Sequence, residues 1–163
     1  MQRRTFLRHS GLTLAALAFL KNESLATISK DPAWNIRMLT DDAGIFSEKG
    51  GTILFLLTKK GIAVVDSQFP DSAAHLIEEL KKKSEKPFKF LINTHHHGDH
   101  SSGNIAFKGL VEHIVAHENS KANQLKTATD QKTPPEKFLA PDLTYGNDGW
   151  KEKLGKERIR TYY

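Results

Sequence analysis

Residues 95 to 100 read HHHGDH, a run that holds four of the chain's eight histidines. His95, His97, Asp99 and His100 form the pattern HxHxDH, with His96 and Gly98 at the intervening positions. Three imidazoles and a carboxylate are the nitrogen and oxygen donors that suit zinc, and also iron or manganese. Chance would produce the pattern on the order of once in a thousand sequences of this length. On an extended segment, residues two apart share a side, so His95 and His97 can converge on one ion. Gly98 is expected to allow a turn closed to most residues, swinging Asp99 and His100 towards a neighbouring position. A second ion about 3.5 to 4 Å from the first would let the two hold a shared hydroxide and a substrate oxygen. The chain has no cysteine, which excludes thiolate ligands, disulfides and a cysteine nucleophile.

Such a loop needs a strand to lead into it and a core to hold it. FKFLIN (88 to 93) is a strand that runs directly into the histidines. Upstream, TILFLLT (52 to 58) and IAVVDS (62 to 67) flank Lys59, Lys60 and Gly61 and read as a β-hairpin, with WNIRML a weaker first strand. Asp71 or Ser72 is expected to cap a helix through Ala73, Leu76, Ile77 and Leu80, closed by Lys81, Lys82 and Lys83; Pro87 forbids its continuation. HIVAH (113 to 117) is a further strand, and ENSKANQLKTA an exposed helix. Residues 127 to 142 read as a loop, and a last hairpin is expected to run from DLTY to RIRTYY with its turn near Gly146 to Gly149. A meander, a helix and a strand ending in polar residues define α/β layers with a site at a strand's C-terminal edge.

The N-terminus carries an address. Basic residues precede the apolar run Gly11 to Leu20 and the small-x-small triplet Ser24-Leu25-Ala26, the layout of a cleaved signal over residues 1–26. Ten apolar residues are too few to span a bilayer, which takes about 20, so no stable membrane anchor is expected. Arg3 and Arg4, followed by Thr5, Phe6, Leu7 and Arg8, resemble a twin-arginine signal, which implies the twin-arginine export machinery as a partner and the periplasm as destination. Residues 1–26 carry a net +3, so their removal takes the chain from +5 to +2. That residue of charge is too small to argue for nucleic acid.

The loop THHHGDHSSGN, with the strand before it and IAVVDSQFP upstream, resembles the metallo-β-lactamase superfamily over roughly residues 50 to 126. The resemblance implies an αββα sandwich, with His95 and His97 on a first metal, Asp99 and His100 on a second, and one or two zinc ions. Asp66, which by itself reads as a strand-end turn former, is implied to order the loop, and His96 is expected to make a loop hydrogen bond. His9, His75, His113 and His117 read as surface or capping histidines, and Asp130, Asp142 and Asp148 as loop or turn residues. The implied activity is metal-dependent hydrolysis of an amide, ester or related bond in a small-molecule substrate, with Asp99 orienting the hydroxide and moving a proton. The family's pattern also expects two later histidines and a bridging aspartate, and no histidine follows His117. Residues 27–163 are therefore expected to carry about the first half of the sandwich, as a fragment of a longer hydrolase. The alternative is a non-catalytic metal-binding protein or an inactive truncated relative.

Overall fold

The computed structural model describes residues 33–162, so the signal at 1–26 and His9 lie outside the described residues. Seven strands form one sheet in chain order: β1 (Trp34–Met38), β2 (Ala43–Glu48), β3 (Gly51–Thr58), β4 (Gly61–Val65), β5 (Phe88–Asn93), β6 (Val111–His117) and β7 (Leu143–Tyr145). Neighbours are antiparallel from β1 to β4 and parallel from β4 to β7. Tight turns suffice for the first set, whereas parallel pairs need long crossovers. Helix α1 (Pro70–Lys83) lies on the crossover from β4 to β5. The next crossover holds the short helix α2 (Gly98–Ser101) and a 3₁₀ segment (Ser102–Phe107), and the last holds α3 (Glu118–Asp130).

The core forms where α1 and the 3₁₀ segment meet one face of the sheet. Ala73, Leu76, Ile77 and Leu80 recur at helical spacing and are buried with Phe46, Ile53, Phe55, Ile62, Val64, Leu91 and Ile114. Phe107 seats edge-on to Phe88 at 5.6 Å. Burying each such side chain stabilises the fold by about 1.5–3 kcal/mol, so this face fixes the strand ends that carry the polar loop. β4 is buried at four of its five positions, as expected for a central strand covered on both faces.

The strands and helices expected from periodicity are present, with two differences. The first residue of α1 is Pro70 and its N-cap is Phe69, which makes no side-chain capping bond. Asp71 and Ser72 lie inside the first turn rather than at the cap, because Pro70 at the first helical position starts the helix one residue earlier with its φ already set, and the Asp71 carboxylate accepts the Ser72 N–H at 3.0 Å. Secondly, DLTY does not pair with RIRTYY. β7 extends the main sheet beside β6, and the hairpin is β8 (Trp150–Leu154) with β9 (Glu157–Thr161), turning at Gly155, whose φ is +67°. The stretch between DLTY and RIRTYY is itself a strand plus a turn. This ribbon covers part of the sheet's other face, with Trp150 edge-on to Phe90 at 5.1 Å, Leu154 buried and Lys156 reaching Asp42 at 3.2 Å.

Candidate metal centre

The polar loop leaves the carboxyl end of β5, beside the carboxyl end of β4. Asp66, the first residue beyond β4, has φ +66° and is 6% exposed. Asp tolerates this left-handed conformation better than most residues because its short side chain can bond locally. Its carboxylate accepts the backbone N–H of Thr94 at 2.8 Å and the Thr94 hydroxyl at 2.7 Å, and it meets His100 Nδ1 at 2.9 Å. Asp66 thereby ties the start of the loop to its end.

These bonds set the state of two imidazoles. The single hydroxyl proton of Thr94 goes to Asp66, so towards His95 Nδ1, 3.0 Å away, Thr94 can only accept. His95 must then carry its proton on Nδ1. His100 Nδ1 faces the acceptor-only carboxylate of Asp66 and carries a proton as well. In a neutral ring held this way Nε2 is the lone-pair donor, the arrangement in which a carboxylate or hydroxyl behind a histidine fixes it for a metal. The ring of His95 lies 4.0 Å from that of His100 and 4.8 Å from that of His97, centre to centre. Burial is the largest cause holding the His95 imidazole below its usual range, and the neighbouring His100 and His97 act in the same direction, against Asp66 and Asp99. A neutral ring is the ligating form.

Asp99 is mostly exposed, and its carboxylate lies 3.5 Å from His100 Nε2. The His96 ring is 4.6 Å from that of His97 and 6.4 Å from that of His95, while its backbone carbonyl accepts from Ser101 Oγ at 3.3 Å. Gly98 does not adopt the left-handed backbone expected of it. It opens α2 with ordinary geometry, and a Cβ there would stand 3.1 Å from Ser102 Oγ. The left-handed residues lie instead on the facing segment, at Asp66 and at Gln68, φ +50°.

Sequence reasoning passed over the network beneath the loop. Asn93 and Asn104 exchange amide hydrogen bonds of 2.8 and 3.0 Å, Ser67 donates to Asn104 at 2.9 Å, and Gln124 of α3 donates to Asn93 at 3.2 Å. All four are buried, so removing one partner leaves unsatisfied groups at about 1–3 kcal/mol each. Gly103 admits this closeness, since a Cβ on it would lie 2.2 Å from the Ser67 carbonyl oxygen. The available signal was the polar residues flanking the motif: Asn93 and Thr94 before it, Asn104 after it.

Among the described residues, His75, His113, His117, Asp130 and Asp142 have partners outside this cluster. His75 bonds the buried Glu48 and stacks on Trp34 at 3.9 Å. His117 caps α3, its Nδ1 accepting from Asn119 N at 3.1 Å. His113 pairs with Asp142, and Asp130 with Lys126.

Among the described residues, no three His, Asp or Glu side chains are arranged to hold an ion as they stand. The donor set nonetheless fits a divalent metal in its chemistry. Two imidazoles are preset with Nε2 as donor, and His97 and Asp99 beside them are exposed and can turn without unpacking anything.

The family model of the metallo-beta-lactamase superfamily matches residues 48–160. The chain belongs to that superfamily, whose members are generally hydrolases. Over 58 residues it is 38% identical to the probable hydroxyacylglutathione hydrolase glo2 of Schizosaccharomyces pombe, a match covering 34% of this chain and 23% of that protein. A metallo-beta-lactamase from Pontibacter korlensis shares the fold, with a TM-score of 0.62 at 18% identity over 80% of this chain and 60% of that one. In each case the chain spans less than two thirds of the protein it resembles.

Proposed function

We propose that the chain provides the metal-binding loop of an exported zinc-dependent hydrolase. The observation that carries this reading is the pair of histidines, His95 and His100, held with Nδ1 protonated by Thr94 and Asp66 and so offering Nε2. His95 and His97 would hold a first ion, and Asp99 and His100 a second, with zinc foremost and iron or manganese also suited. The chemistry such ions supply when bound is Lewis acidity and a water of lowered pKa. Asp66 keeps the proton on His100 Nδ1 and the loop in register. Asp99, exposed beside His100 Nε2, would orient the attacking water, take its proton and pass it to the leaving group.

The substrate class is an activated acyl bond. Likeness to a hydroxyacylglutathione hydrolase makes an acyl thioester the first substrate to test, ahead of lactones, phosphodiesters and β-lactams. Arg3, Arg4 and the apolar run after them support export to the periplasm by the twin-arginine route, after folding and metal loading. The test is a panel of thioester, lactone, nitrocefin and phosphodiester assays on zinc-loaded protein, with zinc uptake measured in parallel. Thioester turnover that stops on chelation supports the reading; zinc uptake with no turnover on any member supports a metal-binding protein without catalysis.

A further inference from the structure

Asn104 sits in the network beneath the histidine loop, on the 3₁₀ segment that follows it, and is 1% exposed. Its amide makes every bond open to it. Oδ1 accepts from Ser67 Oγ at 2.9 Å and from Asn93 Nδ2 at 3.0 Å, while Nδ2 donates to Asn93 Oδ1 at 2.8 Å and to the Leu139 carbonyl at 3.3 Å. Two N–H donors and two lone pairs are all that an asparagine side chain offers. A backbone carbonyl can only accept, so Leu139 fixes which way round the amide lies.

The partners give this residue a bearing on the site. Ser67 and Asn93 are the chain neighbours of Asp66 and Thr94, whose mutual bonds hold the loop and face its imidazoles. Asn104 therefore ties the end of β4 to the end of β5 one residue away, on each side, from the Asp66–Thr94 contact. The same seam is closed along the backbone, where Ser67 N donates to the His100 carbonyl at 2.8 Å and Gly103 N to the Gln68 carbonyl at 2.7 Å. A buried polar network with every group paired accepts one arrangement, because a slip leaves a donor or acceptor unpaired where water cannot reach it. An apolar side chain of like size would impose no such register. The register selected is the one in which the Asp66 carboxylate reaches Thr94 and His100 Nδ1 together.

We infer that Asn104 is a positioning residue for the metal centre: by fixing Ser67 against Asn93 it sets the reach of Asp66 to Thr94 and His100, and through them the affinity of the loop for zinc. The inference rests on the metal-binding reading of the same loop and extends it to a residue that acts through its neighbours. Variants of the full chain test it. Asn104→Asp keeps the size and an acceptor for Ser67 but turns a carboxylate oxygen towards two other acceptors, Asn93 Oδ1 and the Leu139 carbonyl. Ser67→Ala is milder and deletes one of the four bonds. Ile62→Val, at the end of β4 remote from Asp66, and Leu80→Ala, near the C-terminal end of α1, lower the urea midpoint through the apolar core instead. Lost stability alone leaves the affinity of the folded protein where it was.

The zinc dissociation constant, from equilibrium dialysis, is expected to rise about tenfold in Asn104→Asp and several-fold in Ser67→Ala, and to stay at the parent value in the two core variants. Without metal, long-range ¹H–¹⁵N NMR should show His100 passing from the Nδ1–H tautomer towards a mixture in Asn104→Asp and Ser67→Ala alone. Parent-like zinc affinity in both network variants, or equal losses in core variants of matched urea midpoint, would overturn the inference. If Asn104→Asp does not fold, Ser67→Ala decides both readouts. Should the parent take up no zinc, the metal reading falls and the metal-free spectra decide the positioning role: a His100 change confined to the network variants sustains it, and an unmoved His100 overturns it.

Discussion

Two histidine–aspartate pairs in this chain are chemically alike and differ in what surrounds them. His100 Nδ1 lies 2.9 Å from Asp66, and His113 Nδ1 lies 2.8 Å from Asp142. Each carboxylate also accepts a backbone N–H, from Thr94 at 2.8 Å and from Ile114 at 2.5 Å. The side chain of Asp66 is 8% exposed, and its histidine lies 4.0 Å, ring to ring, from His95, itself 4.8 Å from His97, whereas the Asp142 side chain is 53% exposed and its histidine, among the described residues, meets the Phe90 ring at 6.4 Å. A carboxylate behind an imidazole fixes a tautomer wherever it occurs. Only where further donors converge does that tautomer become a candidate ligand.

The sharpest way to break this contrast is to remove ligands on one side only. His95→Ala with His97→Ala should abolish zinc uptake measured by equilibrium dialysis, whereas His113→Ala should bind as the parent does. Next in size is the carboxylate itself. Asp66→Asn keeps a residue suited to φ +66° but leaves Nδ1 of His100 facing an amide; zinc affinity is expected to fall about 10- to 100-fold. Asp142→Asn should leave zinc affinity as it was, and an equal loss in both variants would show that the difference in surroundings is immaterial.

Thr94→Val removes the hydroxyl that joins Asp66 to His95 while keeping shape. Zinc affinity should drop several-fold, with stability lower by about 0.5–1.5 kcal/mol in urea titration. The smallest effect belongs to the exposed pair. Burial alone would raise the Asp142 carboxyl, but the His113 and Ile114 hydrogen bonds outweigh it and hold the group below its ordinary 3.8. A carboxylate depressed by folding stabilises the native state above its unfolded pKa and ceases to as pH falls through the folded one. Urea midpoints of the parent and Asp142→Asn should therefore differ at pH 5 and converge below about 3.8, the difference staying under about 1 kcal/mol for so exposed a pair.

Much of this was readable from residue order because it is local. Helical spacing in α1, the apolar run of β5 and the HxHxDH pattern each depend on neighbours in sequence, and so does the capping role expected of one of the scattered histidines, which His117 fills. What escaped depends on partners far along the chain. Thr94 is an ordinary polar residue until Asp66, 28 positions earlier, is brought to it, and Gln124 is a surface-helix residue until Asn93, 31 positions earlier, lies beneath it. DLTY looked like half of a hairpin because a short strand reads the same whether its partner is the next strand or β6, and the partner in the fold is β6. The left-handed backbone was expected at a glycine and fell on Asp66 and Gln68, whose surroundings impose it.

If Asp66 and Thr94 preset the histidines for a metal, the imidazoles must carry the mark of it before any ion binds. Long-range ¹H–¹⁵N NMR of the side-chain imidazoles, recorded before and after one equivalent of zinc, tests it most directly. His95 and His100 are expected to be Nδ1–H tautomers without metal, and both Nε2 signals to move to the zinc-coordinated range on titration. Nε2–H tautomers in either ring, or imidazole signals indifferent to zinc, would contradict it.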